Sequence, residues 1–317
     1  VAFPTETVYG LGADALNEKA AEKIYAAKGR PSDNPLIVHI TNLGALEKIT
    51  KNVPEETKKI ADAYWPGPLT MIFEKSEAVP YGTTGGLDTV AVRMPSDEVA
   101  RALIDVGGGY IAAPSANTSG RPSPTMAEHV EEDLTGRIDM ILDGGPVSIG
   151  LESTILDMTV TPPMILRPGA ITKEMLEACI GEVTVDKAVI KPNQRPKAPG
   201  MKYRHYAPKA DLSIVEGEMS KVISKINELA AEQVKAGHKV GIIGTEESVA
   251  NYICGDVKSI GTREDESTIA VHLFAILREF DADQVDYIYS ESFDTEGIGS
   301  AIMNRLLKAA GHHVITV

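Results

Sequence analysis

A basic, proline-rich segment divides this chain and limits its fold more than any other feature. Residues 185–209 hold seven Lys or Arg side chains and one acidic residue. The flanking parts are acidic, with 15 basic against 26 acidic side chains in residues 1–184 and 9 against 18 in residues 210–317. Such a segment is typical of an extended linker, and its prolines are Pro192, Pro196, Pro199 and Pro208. The sequence therefore predicts two domains, 1–184 and 210–317.

The linker also carries three ring side chains within four residues, Tyr203, His205 and Tyr206. A solvated spacer is the ordinary interpretation of a basic, proline-rich stretch. Rings combined with positive charge suit instead a segment that docks against an anionic site. We therefore predict that residues 185–209 dock against such a site, with a plain spacer as the alternative.

Composition excludes several classes of protein. A net charge of −14 and a pI near 5.0 argue against a broad electrostatic surface for nucleic acid or anionic membrane. Cys179 and Cys254 stand far apart, which excludes zinc ribbons, iron–sulfur clusters and a disulfide framework, and favours the cytoplasm. No apolar run approaches the roughly 20 residues of a membrane helix. Because the chain opens at Val1 within an apolar stretch, we expect a further segment before it.

Short apolar runs alternate with amphipathic stretches before the linker, which predicts an α/β fold with a twisted mixed sheet and flanking helices. The predicted helices cover 18–28, 54–65 and 97–106. The predicted strands are Leu36–Ile40, Leu69–Phe73, Thr89–Met94, Tyr110–Ala113, Asp139–Leu142, Ser153–Met158 and Met164–Leu166.

A more regular alternation follows the linker and predicts a smaller, Rossmann-like parallel sheet. Strands are expected at 212–217, 239–244, 257–261, 285–290 and 312–317. Helices are expected near 220–236, 247–254, 268–280 and 300–310.

Two polar clusters at predicted strand ends suit the binding of an anion. Lys28, Arg30 and Asn34 lie on a turn held by glycine and prolines, where a point charge and a guanidinium fork could meet phosphate oxygens. A helix C-terminus that favours cations is the alternative. The loop 114–123, with sequence PSANTSGRPS, offers hydroxyl, amide and backbone groups to an anion or a base edge, with a plain polar loop as the alternative.

Arg93 is predicted inside the apolar strand TVAVRM, where an uncompensated charge would be costly. It therefore requires an anionic partner, either a structural Asp or Glu or the carboxylate of a ligand. Arg167 has the same character, and Ser153 places a hydroxyl at a strand start. His39 sits within LIVHI, where a satisfied core histidine is the default interpretation. No histidine pair has the spacing of metal ligands, so a metal held by protein alone is not expected.

These residues stand in eight motifs that occur in a fixed order. Together they resemble the two-domain form of the threonylcarbamoyl-AMP synthase family, whose first domain is called YrdC-like. The motifs are FPTETVYGLG (3–12), KxRxxxNPL (28–36), PGPLT (66–70), VRMP (92–95), PSANxSG (114–120), STI (153–155), LRPGA (166–170) and RHYAP (204–208).

The resemblance implies a reaction of L-threonine, bicarbonate or CO2, and ATP with Mg²⁺, giving threonylcarbamoyl-adenylate and pyrophosphate. A tRNA threonylcarbamoyl-transferase complex would use the adenylate downstream, so stable binding of nucleic acid by this chain is not expected. The family's nucleotide contacts fall on Arg30, Asn34, Thr89, Ser115, Ser123, Arg167 and Tyr206. Its threonine contacts fall on Thr7, His39, Arg93, the backbone of Ala113, and Ser153. Lys28, Arg30, Ser115 and Asn117 fill the family's KxR and SxN pattern, and we expect them to act in catalysis. The resemblance also implies that residues 185–209 fold over this active site.

Two alternative functions come from other classes. A related domain transfers a carbamoyl group in hydrogenase maturation, but that larger protein is rich in cysteine and holds zinc, unlike a chain with two lone cysteines. A non-enzymatic module that binds RNA or ribosomes is disfavoured by the acidic balance of both domains.

Overall fold

The computed structural model describes residues 1–186 and 205–317, and these form two compact units. The first unit contains residues 1–119 and 123–186, and the second contains residues 120–122 and 205–317. The prediction that the linker covers an active site falls largely on residues 187–204, Tyr203 included, which lie outside the described residues.

The first unit is built on a mixed sheet of eight strands, in the order β10-β9-β8-β5-β6-β4-β7-β3, and a two-stranded ribbon, β1-β2. The strands are β1 (Ala2–Phe3), β2 (Gly10–Leu11), β3 (Ala13–Asp14), β4 (Ile37–His39), β5 (Leu69–Glu74), β6 (Thr89–Arg93), β7 (Ile111–Ala113), β8 (Thr154–Asp157), β9 (Met164–Arg167) and β10 (Thr184–Val185). The helices are α1 (Glu18–Lys28), α2 (Leu46–Ile49), α3 (Glu56–Tyr64), α4 (Tyr81–Thr84), α5 (Glu98–Val106), α6 (Ala127–Leu134) and α7 (Lys173–Ile180).

Alternation along the central strands divides this sheet into two chemically different faces. Val38, Phe73 and Val92 point into the main core of the unit, where helices cover them. Ile37 and Ala91 belong to a second, smaller apolar cluster on the opposite face. That second face also carries polar residues at both ends of the strands, and it is the one that holds the candidate site.

The second unit is a sheet of five parallel strands in the order β13-β12-β14-β11-β15. Its elements are β11 (Asp211–Glu216), α8 (Met219–Lys235), β12 (Val240–Gly244), β13 (Asp256–Ser259), α9 (Glu266–Asp283), β14 (Tyr287–Glu291), α10 (Gly297–Ala309) and β15 (Val314–Thr316). The predictions of a mixed sheet followed by a smaller parallel sheet are confirmed. No helix in residues 1–186 or 205–317 is long and apolar enough to cross a membrane.

Two predicted elements are wrong. Residues 139–142 form no strand; Ile141 makes a single bridge to Ala2, and Met140 is more than half exposed. The glycines that follow turn the chain before a ladder can extend. Residues 247–254 form only the short 3-10 helix Val249–Asn251. The Ser248 hydroxyl accepts the Thr245 N–H at 2.9 Å, and this local bond competes with helix formation.

We expect Leu156→Ala to lower the free energy of unfolding of the first unit by about 2–5 kcal/mol, because it opens a cavity in the main core. Urea unfolding followed by the fluorescence of Trp65, the only tryptophan of the chain, reports on this unit. Val106→Ala on α5 is the control, since Val106 is 85% exposed. Equal losses in the two variants would contradict the assignment of this face as the core.

Candidate active site

Strand register places five of the predicted site residues on one face of the sheet. His39 lies opposite Arg93, and Ile37 lies opposite both Ala91 and Ala113. Side chains directly opposite in a ladder share a face. Arg93 pairs with Thr70, Thr70 with Ile155, and Ile155 with Arg167. Arg167 therefore lies on the same face. The shared face thus carries His39, Thr89, Arg93, Ala113 and Arg167.

The same register separates the residues predicted to bind threonine from those predicted to bind nucleotide. Asn34 precedes β4 and Thr89 begins β6. Since these strands are parallel, both residues lie at the same end of the strands, which we call one edge of the shared face. Ser115 follows β7, which runs antiparallel to β4, and so it lies at that edge too. His39 and Arg93 end their strands at the opposite edge, roughly 13 Å away by strand rise.

Two residues depart from this division. Arg167 was predicted to bind nucleotide, but it ends β9 at the edge of Arg93, where its Nε donates to the carbonyl oxygen of Ser153 at 3.0 Å and its Nη2 lies 3.3 Å from the Ser153 hydroxyl. Ala113 was predicted to contact threonine, but it lies beside Ile37, toward the other edge. The predicted roles of both residues stay predictions.

Arg93 finds its anionic partner in Glu6. Arg93 Nη2 lies 2.7 Å from Glu6 Oε1, and both side chains are buried. The Arg93 Nη1 donates to the Thr7 hydroxyl at 2.8 Å, so this guanidinium also touches a residue predicted to bind threonine. Burial raises the pKa of Glu6, but the charge and hydrogen bond of Arg93, together with backbone hydrogen bonds from Glu6 and Ser96, outweigh burial and hold that pKa below its usual value.

His39 is a buried, neutral imidazole. Burial, reinforced by the positive charge of Arg93, lowers the pKa of His39 to about 3. Its Nδ1 lies 3.1 Å from the Ile37 carbonyl oxygen, and its ring packs edge-on against Phe3. At neutral pH the histidine therefore offers hydrogen-bonding atoms and a ring edge, and adds no charge to the cations around it.

A cluster of hydroxyl groups stands beside Arg93. Thr70, which pairs with Arg93 across the ladder, has its Oγ1 2.8 Å from the Ser153 Oγ. Both hydroxyls are buried. Together with Thr7 they surround the edge of the sheet with groups that can either donate or accept a hydrogen bond. Such a surface suits a small polar ligand that has a carboxylate, an amine and a hydroxyl.

Lys28 holds the loop that carries Ser115 and Asn117. It lies on the buried stripe of α1, three residues beyond Tyr25, which is why its side chain turns inward. Its ammonium donates to the carbonyl oxygens of Ser115 and Asn117 and lies 3.4 Å from the Asn117 Oδ1. The Ser115 hydroxyl in turn donates to that Oδ1 at 2.5 Å. The structure thus joins three of the four residues predicted to be catalytic.

Arg30 and Asn34 share a compact turn. Arg30 Nε donates to the Asn34 carbonyl oxygen at 3.2 Å, and its Nη2 donates to the Pro35 carbonyl oxygen at 3.1 Å. Tyr25 closes the turn with a bond from its hydroxyl to the Asn34 carbonyl at 3.3 Å, and burial raises the pKa of Tyr25 to about 12. The tyrosine therefore stays protonated, and the turn keeps its positive charge.

Ser123 and Tyr206 complete the set of predicted residues, and each has contacts within its own unit. Ser123 is fully buried in the first unit, where its hydroxyl donates to Glu152 Oε1 at 2.5 Å. Tyr206 belongs to the second unit and packs against Phe274 at 5.1 Å between ring centroids. Within residues 1–186 and 205–317, no group of three or more His, Cys, Asp or Glu side chains is arranged to hold a metal ion.

Sequence reasoning missed Glu6, Thr70 and Glu152. The signal for Glu6 was available, because a buried Arg93 demands a carboxylate and Glu6 stands in an apolar, threonine-rich stretch. Thr70 stands in the motif PGPLT, but only the strand register places it beside Arg93. Glu152 has no sequence signal, and only its bond with Ser123 identifies it.

The first unit is a mixed sheet with buried cations near the ends of its strands, and the second unit is a smaller parallel sheet. Residues 1–169 match the family model Sua5_yciO_yrdC, described as telomere recombination, and residues 171–311 match the threonylcarbamoyl-AMP synthase C-terminal domain. The chain therefore belongs to the threonylcarbamoyl-AMP synthase family, and the resemblance drawn from its motifs is confirmed.

Individual proteins agree with the family assignment. Threonylcarbamoyl-AMP synthase of Pyrococcus abyssi is 52% identical over 100% of this chain and 92% of that protein. The Bacillus subtilis enzyme of the same name is 53% identical over 99% of this chain and 90% of that protein. The crystal structure of P. abyssi Sua5 complexed with L-threonine matches with a TM-score of 0.95 and 51% identity, covering 100% of this chain and 92% of that one.

We expect His39 to make the stability of the first unit depend on pH. Its folded pKa of about 3 lies below its unfolded value, so the unfolded chain binds the proton first and stability falls as the pH is lowered through 6.5. Between pH 7 and pH 5 this loss amounts to about 2 kcal/mol. His39→Gln should remove that slope in urea unfolding followed by Trp65 fluorescence.

The exposed His238→Gln is the control, and its slope should equal that of the unmodified chain. Glu6 adds little to the change between pH 7 and pH 5, because its pKa, lowered in the folded chain, lies below that pH range. If His39→Gln kept the full slope, the neutral state of His39 would be refuted.

Proposed function

We propose that this chain condenses L-threonine, CO2 derived from bicarbonate, and ATP to give L-threonylcarbamoyl-adenylate and pyrophosphate. The observation that carries the proposal is the division of one sheet face into two polar edges, one around Arg93 and one around Asn34 and Ser115. Two reactants of different chemistry can then bind at opposite ends of the same strands, and their reacting groups can meet in the middle of the sheet face. Membership of the threonylcarbamoyl-AMP synthase family supports the same reaction.

We propose that threonine binds at the Arg93 edge. The P. abyssi relative is described in complex with L-threonine, and this chain offers a guanidinium for a carboxylate together with the hydroxyls of Thr7 and Ser153. Glu6 already neutralises part of the charge of Arg93. This pairing allows the guanidinium to be buried, and a ligand carboxylate would meet Arg93 through hydrogen bonds. His39, being neutral, contributes shape and hydrogen bonding.

We propose that ATP binds at the opposite edge, with Arg30, Asn34, Thr89, Ser115 and Ser123 as its contacts, and that Arg167 and Tyr206 also serve the nucleotide. The rigid Arg30 turn and the loop held by Lys28 support this assignment. Mg²⁺ would enter as the chelate of the ATP phosphates, which with water supply the oxygen ligands it prefers. Its charge would offset that of the phosphates.

The chemistry asks for positioning and charge neutralisation. The ammonium of threonine first loses a proton to water. The free amine then attacks CO2, a nitrogen–carbon bond forms as one C=O bond becomes C–O⁻, and a second proton passes to water, which leaves the carbamate. A carbamate oxygen then attacks the α-phosphorus, and the bond from that phosphorus to the bridging oxygen breaks as pyrophosphate leaves. We propose that Lys28 and Arg30 stabilise the developing negative charge, while Ser115 and Asn117 orient the phosphate and the carbamate. The chain is on this basis a nucleotidyltransferase.

We propose that a tRNA threonylcarbamoyl-transferase complex consumes the product. A mixed anhydride of a carbamate and a phosphate is labile in water, so the acceptor must take it promptly. ATP, threonine and tRNA occur together in the cytoplasm, where we place the reaction.

Pyrophosphate release tests the proposed function directly. We expect release from ATP and Mg²⁺ to require both bicarbonate and L-threonine, and to be much weaker with L-serine or without an amino acid. ATP cleavage that does not depend on threonine, or no cleavage by a folded sample, would refute the proposed reaction. A binding module for RNA would then become the leading interpretation.

We expect Lys28→Ala to lower turnover about 100-fold, since it removes a fixed charge beside the reacting phosphate. The dissociation constant of threonine should change less than about twofold, because Arg93 and Ser153 lie at the other edge of the sheet. Steady-state pyrophosphate release gives turnover, and calorimetry with threonine alone gives affinity. Lys23→Ala is the matched control, an exposed lysine on the same helix. An equal loss of threonine affinity would overturn the role assigned to Lys28.

A further inference from the structure

Three consecutive residues of the loop 114–123 pack within the second unit, and each has its own contact there. The Gly120 carbonyl oxygen accepts the Ala207 N–H at 2.9 Å. The Pro122 carbonyl oxygen accepts Arg278 Nη2 at 2.7 Å. Between them, Arg121 Nη2 lies 3.3 Å from Asp281 Oδ2. Gly120 itself has a φ of +94°, a conformation that favours glycine.

Asp281 joins two separate segments through one carboxylate. While Oδ2 contacts Arg121, Oδ1 accepts the Lys209 N–H at 2.6 Å. The Asp281 side chain is 1% exposed, so both bonds are made away from water, where charge-assisted hydrogen bonds are strong.

Helix α9 presents all of these contacts on one face. Phe274, Arg278 and Asp281 are spaced at i, i+4 and i+7, so they align along the helix. Phe274 packs against the Tyr206 ring, Arg278 holds Pro122, and Asp281 holds both Arg121 and Lys209. One helix of the second unit thus fixes the loop tip and the chain after Tyr206.

The first unit holds the same loop on either side of this tip. The Ser119 N–H donates to the Lys28 carbonyl oxygen at 2.9 Å, and the Ser123 hydroxyl donates to Glu152 at 2.5 Å. The residues between them, 120–122, are covalently continuous with both anchors. Their position therefore sets the path of the chain from Asn117 to Ser123.

We propose that Asp281, through Arg121, is a positioning residue for the loop 114–123. The proposal rests on the proposed function for its effect on activity, because Ser115, Asn117 and Ser123 are the residues to be positioned. In this role α9 sets the geometry of residues 120–122 and need not touch a reactant.

We expect Asp281→Asn to raise the KM for ATP about tenfold, because a neutral amide loses the ion pair with Arg121 and turns a donor toward it. The KM for threonine should stay within about twofold, since its predicted contacts lie on other elements. Asp283→Asn on the same helix is the matched control; Asp283 pairs with Lys258 on the surface at 2.7 Å, and both KM values should be unchanged.

Arg121 gives a second, partly exposed site for the same test. Arg121→Gln should reproduce the rise in the KM for ATP without lowering the melting temperature, and Arg121→Lys should restore part of it. If both residues act through one ion pair, the double variant should lose no more than the worse single variant. Independent, multiplying losses would overturn the pairing.

Hydrogen exchange separates this proposal from the reaction itself. We expect Asp281→Asn to speed amide exchange in residues 118–123 about tenfold, while α3 exchanges as before. That result supports the positioning role even if the unmodified chain releases no pyrophosphate, an outcome that would refute only the proposed function. Unchanged amide exchange of residues 118–123 in Asp281→Asn would overturn the positioning role. A lower melting temperature of Asp281→Asn, combined with an unchanged KM for ATP in Arg121→Gln, would also overturn it.

Discussion

The ion pair between Arg93 and Glu6 is the interaction on which the first unit depends. A guanidinium on the central strand β6 cannot be buried alone, and removing one partner of such a pair costs about 3–5 kcal/mol. The pairing obliges the N-terminal segment to cross the end of the sheet. Once there, Thr7 meets Arg93, and Gly10 forms a bridge to Ser115. One electrostatic requirement thereby brings the segment to both edges of the candidate site.

Lys28 is a second buried cation, and backbone carbonyl oxygens compensate its charge where a carboxylate compensates that of Arg93. Its ammonium is buried on α1 and is bound by backbone carbonyls, which fixes the loop around Ser115 and Asn117. The loop continues into Gly120, whose carbonyl oxygen is held in the second unit by Ala207. A single loop is thus held by a cation at its start and by α9 near its end.

Periodicity predicted much of the fold, because most strands are short apolar runs bounded by turn residues. It failed at 139–142 and 247–254, where glycines and a serine–backbone bond override an apolar pattern. Motifs predicted the candidate residues, and chemistry alone predicted that Arg93 needs an anion. The division into two edges could not be predicted, since it depends on which strands run parallel, and no residue taken singly encodes the register of β4, β6 and β7.

The electrostatics of the site favour a reaction in which the protein holds charge and does not exchange protons. His39 is neutral across the physiological range, and Tyr25 keeps its proton because burial raises its pKa to about 12. Arginine stays charged at every relevant pH, so Arg30 and Arg167 supply positive charge that does not vary with pH, while Glu6 compensates the charge of Arg93. Carbamate and phosphate are both anions. A site of constant positive charge lowers the free energy of bringing them together, and this requirement accounts for buried cations at both edges of one sheet.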